Sequence, residues 1–360
     1  MKKIILISIF VVGFQQSLKA EVTKWSSTLP AKSKFTPTDE LADRVEFWRK
    51  IYSEYSTRQG VFHLTKNPDL ILGEIDLTTI FANSVINDST RAKLANAKIK
   101  SERLKISKKW KIANPAQIRL QMGLKDRMQK AFFLSGRYLP MMEDIFRKHG
   151  LPTELTRLVF VESSFNELAQ SKVGASGLWQ IMPNVAKPHG YITSHYDKRN
   201  HPRYATELAA KILKANYKKL GSWPLAITAY NHGLTGVSRM KAKAKSNQIE
   251  DLIDSNAKTA TWGFASKNFY ACFLATLEVE RRAHELFGKN LLQAAATSSK
   301  EYKLRRSVSK VKILPWYNGS YDLFRKLNPH LNWRIVARTG QLPAGVPLQV
   351  PAKNYHLAIN

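Results

Sequence analysis

Apolar residues recur at helical spacing along most of this 360-residue chain. Phe47, Ile51 and Tyr55 repeat every four residues, as do Leu134, Tyr138 and Met142, and both runs predict helices between residues 37 and 150. Between them, residues 93–111 are rich in lysine and keep no sustained spacing, which reads as a solvated helix or a linker. Over 151–288 the pattern is helical again. Pro152 suits a first turn, Leu208, Ile212 and Leu213 share one face of a helix that Gly221 ends, and Gly233 is placed to terminate 225–231. From residue 295 an Ala/Thr/Ser/Lys stretch reads as a linker, followed by the alternating Lys310–Ile313, a helix-like Tyr321–Leu327 and a strand-like Pro347–Pro351. There is no tandem repeat. The expected fold class is mainly α: a segment 1–20, a helical region 21–150, a helical domain 151–290, and a linker with a small α+β module over 291–360.

One position breaks the apolar pattern. Glu162 lies in Leu158-Val159-Phe160-Val161-Glu162-Ser163, with Leu155, Leu158 and Val159 seven, four and three residues before it on the same helical face. Taking a carboxylate out of water disfavours its ionised form and raises its pKa, which is how an enzyme keeps a general acid protonated near neutrality. A structural glutamate, hydrogen-bonded to backbone or paired with a cation, fits the same pattern.

The residues that follow narrow the choice. Glu162-Ser163 is followed by Ser171, then Gly174-Ala175-Ser176-Gly177-Leu178-Trp179-Gln180-Ile181-Met182-Pro183, and later Ala229-Tyr230-Asn231-His232-Gly233. This resembles the lysozyme-like domain of soluble lytic murein transglycosylases. That family carries a Glu-Ser pair, a Gly-Leu-x-Gln-x-Met-Pro segment and an Ala-Tyr-Asn segment in this order and at about these separations. Arg44-Val45-Glu46-Phe47-Trp48, Ser135-Gly136-Arg137-Tyr138-Leu139-Pro140, Asp197, Leu327-Asn328-Pro329-His330-Leu331 and Leu342-Pro343-Ala344-Gly345 extend the likeness. They point to the subgroup related to membrane-bound lytic murein transglycosylase D.

The resemblance implies that Glu162 is acid and then base in cutting the bond between N-acetylmuramic acid and N-acetylglucosamine, with a 1,6-anhydromuramoyl product and no metal or cofactor. Ser163 would fix the turn or the Glu rotamer, Ser171 would lie near the acetamido group, and Gln180 would hydrogen-bond the glycan. Met182 would pack against a sugar face, while Tyr230 and Asn231 would end the helix facing Glu162. Gly174, Ala175 and Gly177 would let a sugar chain pass close to the backbone. The end of the chain resembles a degenerate LysM-type module. One motif departs from the family, which usually has Glu-Thr or Glu-Ser followed by Tyr-Val. Here the chain reads Ala265-Ser266-Lys267-Asn268-Phe269-Tyr270, which implies that a carboxylate and a hydroxyl are lost from the cleft wall. A muramidase using water and a catalytically silent wall-binding protein are the competing readings.

Composition sets the address. Lys2 and Lys3, the apolar run 4–14 and Ala20 read as a secretory signal, too short to span a bilayer. No cysteine lies near the cut, so a soluble periplasmic protein without a lipid anchor is expected. The 57 Lys and Arg against 27 Asp and Glu give +30, a charge that draws a protein to polyanions. For an exported chain those are peptidoglycan strands and an anionic wall or membrane surface; no nucleic acid is expected, and the protein is read as a monomer. The lone Cys272 excludes an internal disulfide and reads as a buried apolar residue. His189, His195 and His201 are spaced by six, which fits no helical ligand pair, so no metal site is expected. No Gly-x-Ser-x-Gly elbow appears for a serine nucleophile.

Overall fold

The computed structural model describes residues 22–254, 262–296 and 298–359. The expected signal segment, 1–20, lies outside the described residues. Helix α1 (Asp39–Ser53) opens with Asp39 and Glu40, whose charges complement the positive end of the helix dipole. It buries Leu41, Val45, Phe47, Trp48, Ile51 and Tyr52, so the spacing of Phe47 and Ile51 does mark a helix.

The reading of residues 37–150 as mostly helical misses a sheet. Strands β1 (Gln59–Leu64), β2 (Ile71–Asp76) and β3 (Ile118–Met122) form an antiparallel sheet with β1 in the centre. Gly60 to His63 are all buried, so β1 is covered on both faces and lacks the alternation by which a half-exposed strand is recognised. The lysine-rich stretch is the helix α2 (Asp88–Lys109), capped by Asn87 Oδ1 accepting from Thr90 N at 2.9 Å. It buries only Ala95, Ile106 and Ser107, as a solvated helix should.

Leu134, Tyr138 and Met142 do not share one helix. Helix α3 (Lys125–Ser135) stops before Gly136, and α4 (Leu139–Lys148) restarts with Pro140 in its first turn. A Cβ on Gly136 would come within 2.6 Å of the Ala294 carbonyl, so the chain turns there to let another strand approach. That strand, Leu292–Ala294, pairs with Val22–Lys24 and shortens the expected linker.

A short 3-10 segment, Thr153–Arg157, leads from Pro152 into α5 (Leu158–Ser163). After an irregular stretch come α6 (Pro202–Leu220), α7 (Trp223–His232), α8 (Leu234–Ala244) and α9 (Phe264–Arg281). Gly221 and Gly233 end α6 and α7 with φ of 72° and 88°, as the sequence suggested. Helix α9 packs against α1, α5 and α7, and Cys272 on it is buried. Arg157, wholly buried at the start of α5, donates to both oxygens of Glu280 at 2.8 Å and to Glu143, tying α5 to α9 and α4.

The C-terminal module has its own core of Leu304, Ile313, Tyr317, Phe324, Leu331, Val336, Leu348 and Val350. Strands β4 (Ser299–Lys303) and β5 (Pro347–Pro351) pair antiparallel and flank α10 (Tyr321–Leu327) and α11 (Trp333–Thr339). Lys310–Ile313 forms a helical turn and not the strand that its alternation suggested. Ser309 Oγ accepts from Val311 N at 3.4 Å, and Ile313 enters the core. The module docks on the helical domain through Asp197 N to His330 O at 2.7 Å and Asn332 N to His195 O at 2.8 Å. The chain is mainly α, with these small sheets as its β content.

Candidate active site

Glu162 sits in the last turn of α5. The helix ends there because Ser164 and Phe165 both take the left-handed conformation, at φ 50° and 57°. Such backbone costs about 1 kcal/mol or more per non-glycine residue. The buried Phe165 holds it by packing edge-on to Phe160 at 4.8 Å. Ser163 Oγ donates to Leu178 O at 2.7 Å and locks the end of α5 onto the next loop.

The Glu162 side chain is half-buried at the level of the surface, yet protein surrounds the carboxyl densely. Burial pushes its pKa up to about 8, and burial is the sole cause. No salt bridge reaches Glu162 among the described residues, so the cation-paired structural glutamate has no support. At neutral pH the group is a protonated carboxylic acid.

The loop 171–183 stands beside it. Ser171 Oγ accepts from Ala175 N at 2.8 Å, while Ser171 N donates to Ala175 O at 2.9 Å, which closes a tight turn. Gln180 donates both amide hydrogens to backbone carbonyls, Gly177 O at 2.9 Å and Ala169 O at 3.1 Å. Met182 is half-buried where a short helical turn, Pro183–Ala186, begins. No hydrogen bond joins Ser171, Gln180 or Met182 to Glu162 among the described residues. Trp179 anchors the loop: its ring is fully buried, stacks on Phe146 at 5.6 Å and donates through Nε1 to Thr206 Oγ1 at 2.8 Å.

Gly174, Ala175 and Gly177 do not share one setting. Gly177 is buried, and a Cβ there would lie 2.2 Å from the Arg199 carbonyl, so protein backbone occupies the space. Ala175 is buried too, and Gly174 alone of the three is exposed. Arg199 was missed by sequence reasoning. Its guanidinium pairs with Asp197 at 2.6 Å and donates to Gly174 O at 2.7 Å and Ile181 O at 2.9 Å, clasping both ends of the loop. Asp197, the first carboxylate after Glu167 in the chain, is therefore engaged as a structural partner.

Tyr230, at the end of α7, donates its hydroxyl to Trp179 O at 2.8 Å. Burial and then the neighbouring Glu162 carboxyl push that hydroxyl well above its usual range, which places the two groups within electrostatic reach. Asn231 is exposed, and its Oδ1 accepts from Ser266 Oγ at 3.4 Å. Ser266 also lies 3.0 Å from His232 Nδ1. At the last motif Ser266 thus brings a hydroxyl to Asn231. A second tyrosine was not foreseen. Tyr52 on α1 is raised by burial, by Cys272 and by Glu162, so it flanks the acid from a helix about 110 residues away. Nothing in the local pattern around Tyr52 separates it from core aromatics. The three spaced histidines do not converge; His201 is buried against Tyr204 and His330.

Residues 143–253 match the family described as Transglycosylase SLT domain. Over 112 residues the chain is 33% identical to membrane-bound lytic murein transglycosylase D of Escherichia coli K12, covering 29% of this chain and 25% of that protein. It is 38% identical over 95 residues to the transglycosylase of Enterobacteria phage PRD1, covering 26% of this chain and 34% of that one. The chain thus spans a quarter to a third of the length of these curated relatives. Among solved structures, the 70 kDa soluble lytic transglycosylase of Escherichia coli is similar at 20% identity with a TM-score of 0.35, covering 46% of this chain and 27% of that chain.

Proposed function

We propose, from the SLT-type transglycosylase domain that residues 143–253 carry, that this protein is an exported lytic transglycosylase of peptidoglycan. The observation that carries the reading is a lone carboxylic acid, Glu162, kept protonated by burial and by nothing else. Glu162 gives its proton to the oxygen linking N-acetylmuramic acid to N-acetylglucosamine, and that C–O bond breaks. The substrate's own 2-acetamido group stabilises the oxocarbenium-like sugar. The Glu162 carboxylate then removes the proton of the sugar's 6-hydroxyl as its oxygen attacks the anomeric carbon, closing the 1,6-anhydro ring and restoring the acid. Neither metal nor cofactor enters these steps.

Tyr230 and Tyr52 flank the acid, and the loop clasped by Arg199 presents Ser171, Gln180 and Met182 for the glycan. Glycosidases whose second carboxylate activates a water place it about 6.5–9.5 Å from the acid. Asp197, the first carboxylate after Glu167, is held by Arg199, which counts against a muramidase that needs a free second carboxylate. The leader-like residues 1–20 fit a substrate that lies outside the inner membrane. Mass spectrometry of fragments released from purified sacculi tests the reading. Anhydro ends are expected; fragments heavier by one water would replace it with hydrolysis. No fragments from wild type, with the Glu162→Gln variant as control, would leave a silent wall-binding protein.

A further inference from the structure

A cavity of about 140 Å³ lies between the helical domain and the C-terminal module. Arg137, Glu167, His201 and Arg203 line it from one side, Lys326 and Gln349 from the other. Three cations therefore face one carboxylate. Glu167 accepts from the Tyr138 hydroxyl, while Arg137, Arg203 and Lys326 form no salt bridge among the described residues. The first turn of α6, which begins at Pro202, adds the positive end of a helix dipole.

Behind this wall His201, 2% exposed, and Gln349, 8% exposed, each keep an Nε2 that has no partner and is sealed from solvent. His330 Nδ1, in the ring packed against His201, is likewise without a partner. The charged groups that reach the cleft itself are the three cations and Glu167. With that excess of positive charge the cleft lacks acceptor oxygen, which an anion brings.

We propose that this interdomain cleft binds a small amino dicarboxylate, free or as the carboxylate-bearing end of a wall peptide. The volume holds on the order of ten solvent-sized groups, which is the scale of one such residue. The carboxylates face the three cations, and the ligand's amine or amide faces Glu167. Donors come from both domains, so occupancy draws the module onto the helical domain. The peptide source rests on the proposed function, since a glycan cutter meets stem peptides; the free source does not.

The test is calorimetric titration of the full-length protein carrying Glu162→Gln, which removes turnover. The probes are free glutamate, a stem peptide released from sacculi by an amidase, glutamine amide as a control without carboxylates, and inorganic phosphate. One site is expected for glutamate or the stem peptide, with at least tenfold weaker binding in Arg203→Ala and in Lys326→Ala, and none for glutamine amide. Both substituted side chains are exposed, so the variants should fold, and an unchanged melting temperature without ligand checks this. Binding of glutamate alone identifies a free ligand, and binding of the peptide alone identifies the wall. The proposal is overturned if neither binds, if phosphate binds as well as either, or if both variants bind like the parent. Because no cleavage is measured, such a failure leaves the glycan-cutting reading untouched, and loss of that reading would leave glutamate binding intact.

Discussion

Replacing Glu162 by glutamine should uncouple two properties that burial has joined. With the folded pKa near 8 and an ordinary carboxyl value of 4.5, the unfolded chain ionises this residue over a range where the folded protein holds its proton. The stability linked to it is fully present below about pH 4.5 and is lost as pH rises through 8. At about 1.4 kcal/mol per pKa unit the whole shift amounts to roughly 5 kcal/mol. Solvent reaches part of the side chain, so an expressed effect of about 2 kcal/mol is the reasonable expectation. The substituted amide keeps the shape of the acid and does not titrate. Urea unfolding of wild type and Glu162→Gln at pH 5 and pH 9 should therefore show the variant gaining about 2 kcal/mol relative to wild type at the higher pH. Its glycan cleavage should fall by about 10²–10⁴-fold, since one residue supplies both proton transfers. Wild-type turnover should decline above about pH 8 as the acid ionises. A stability difference independent of pH would show that Glu162 is not held protonated, and a variant retaining over about a tenth of the activity would move the chemistry elsewhere.

Tyr230→Phe leaves the Trp179 carbonyl without its donor and should cost about 1–3 kcal/mol in thermal melts while slowing cleavage; unchanged kinetics would reduce Tyr230 to a packing residue. Arg157→Met strands Glu143 and Glu280 in the core, and a urea titration should register a loss of about 3–5 kcal/mol. Gly177→Ala meets the Arg199 carbonyl at 2.2 Å and a φ of 76°, so it should destabilise by about 2 kcal/mol in the same assay and lower activity by shifting the Leu178 carbonyl that holds Ser163. Deleting 295–360 should lower the melting temperature by uncovering the surface around Tyr196 and His201; loss of sacculus pelleting with an unchanged melting temperature would instead mark the module as a binding tether.

The candidate acid was legible because a carboxylate in an apolar helix is conspicuous, and the helix ends at Gly221 and Gly233 because glycine tolerates positive φ. Tyr321–Leu327 and Pro347–Pro351 were read correctly from short periodic runs. The central strand β1 was not, since burial on both faces erases alternation, and Lys310–Ile313 alternates only by coincidence with a capped helical turn. The run through Leu134 and Tyr138 kept helical spacing across a break that Gly136 makes for tertiary reasons. Tyr52, Ser266 and Arg199 escaped for a common reason: each acts on the site through a contact made by tertiary folding, which one-dimensional spacing does not encode.

The closure of the helical domain by its outermost pieces bears on when the chain can fold. Val22–Lys24 finds its partner only at Leu292–Ala294, α1 rests on α9, and Arg157 waits for Glu280. Each of these contacts joins parts of the chain more than a hundred residues apart. Chains dominated by such distant pairings collapse late and slowly, because loop closure must precede the contacts that reward it. During synthesis the segment bearing Glu162 is complete long before Phe264–Arg281, the helix that packs on it, so its native burial waits for that helix. For a chain proposed to pass a membrane as a thread, late closure of the domain favours crossing before folding.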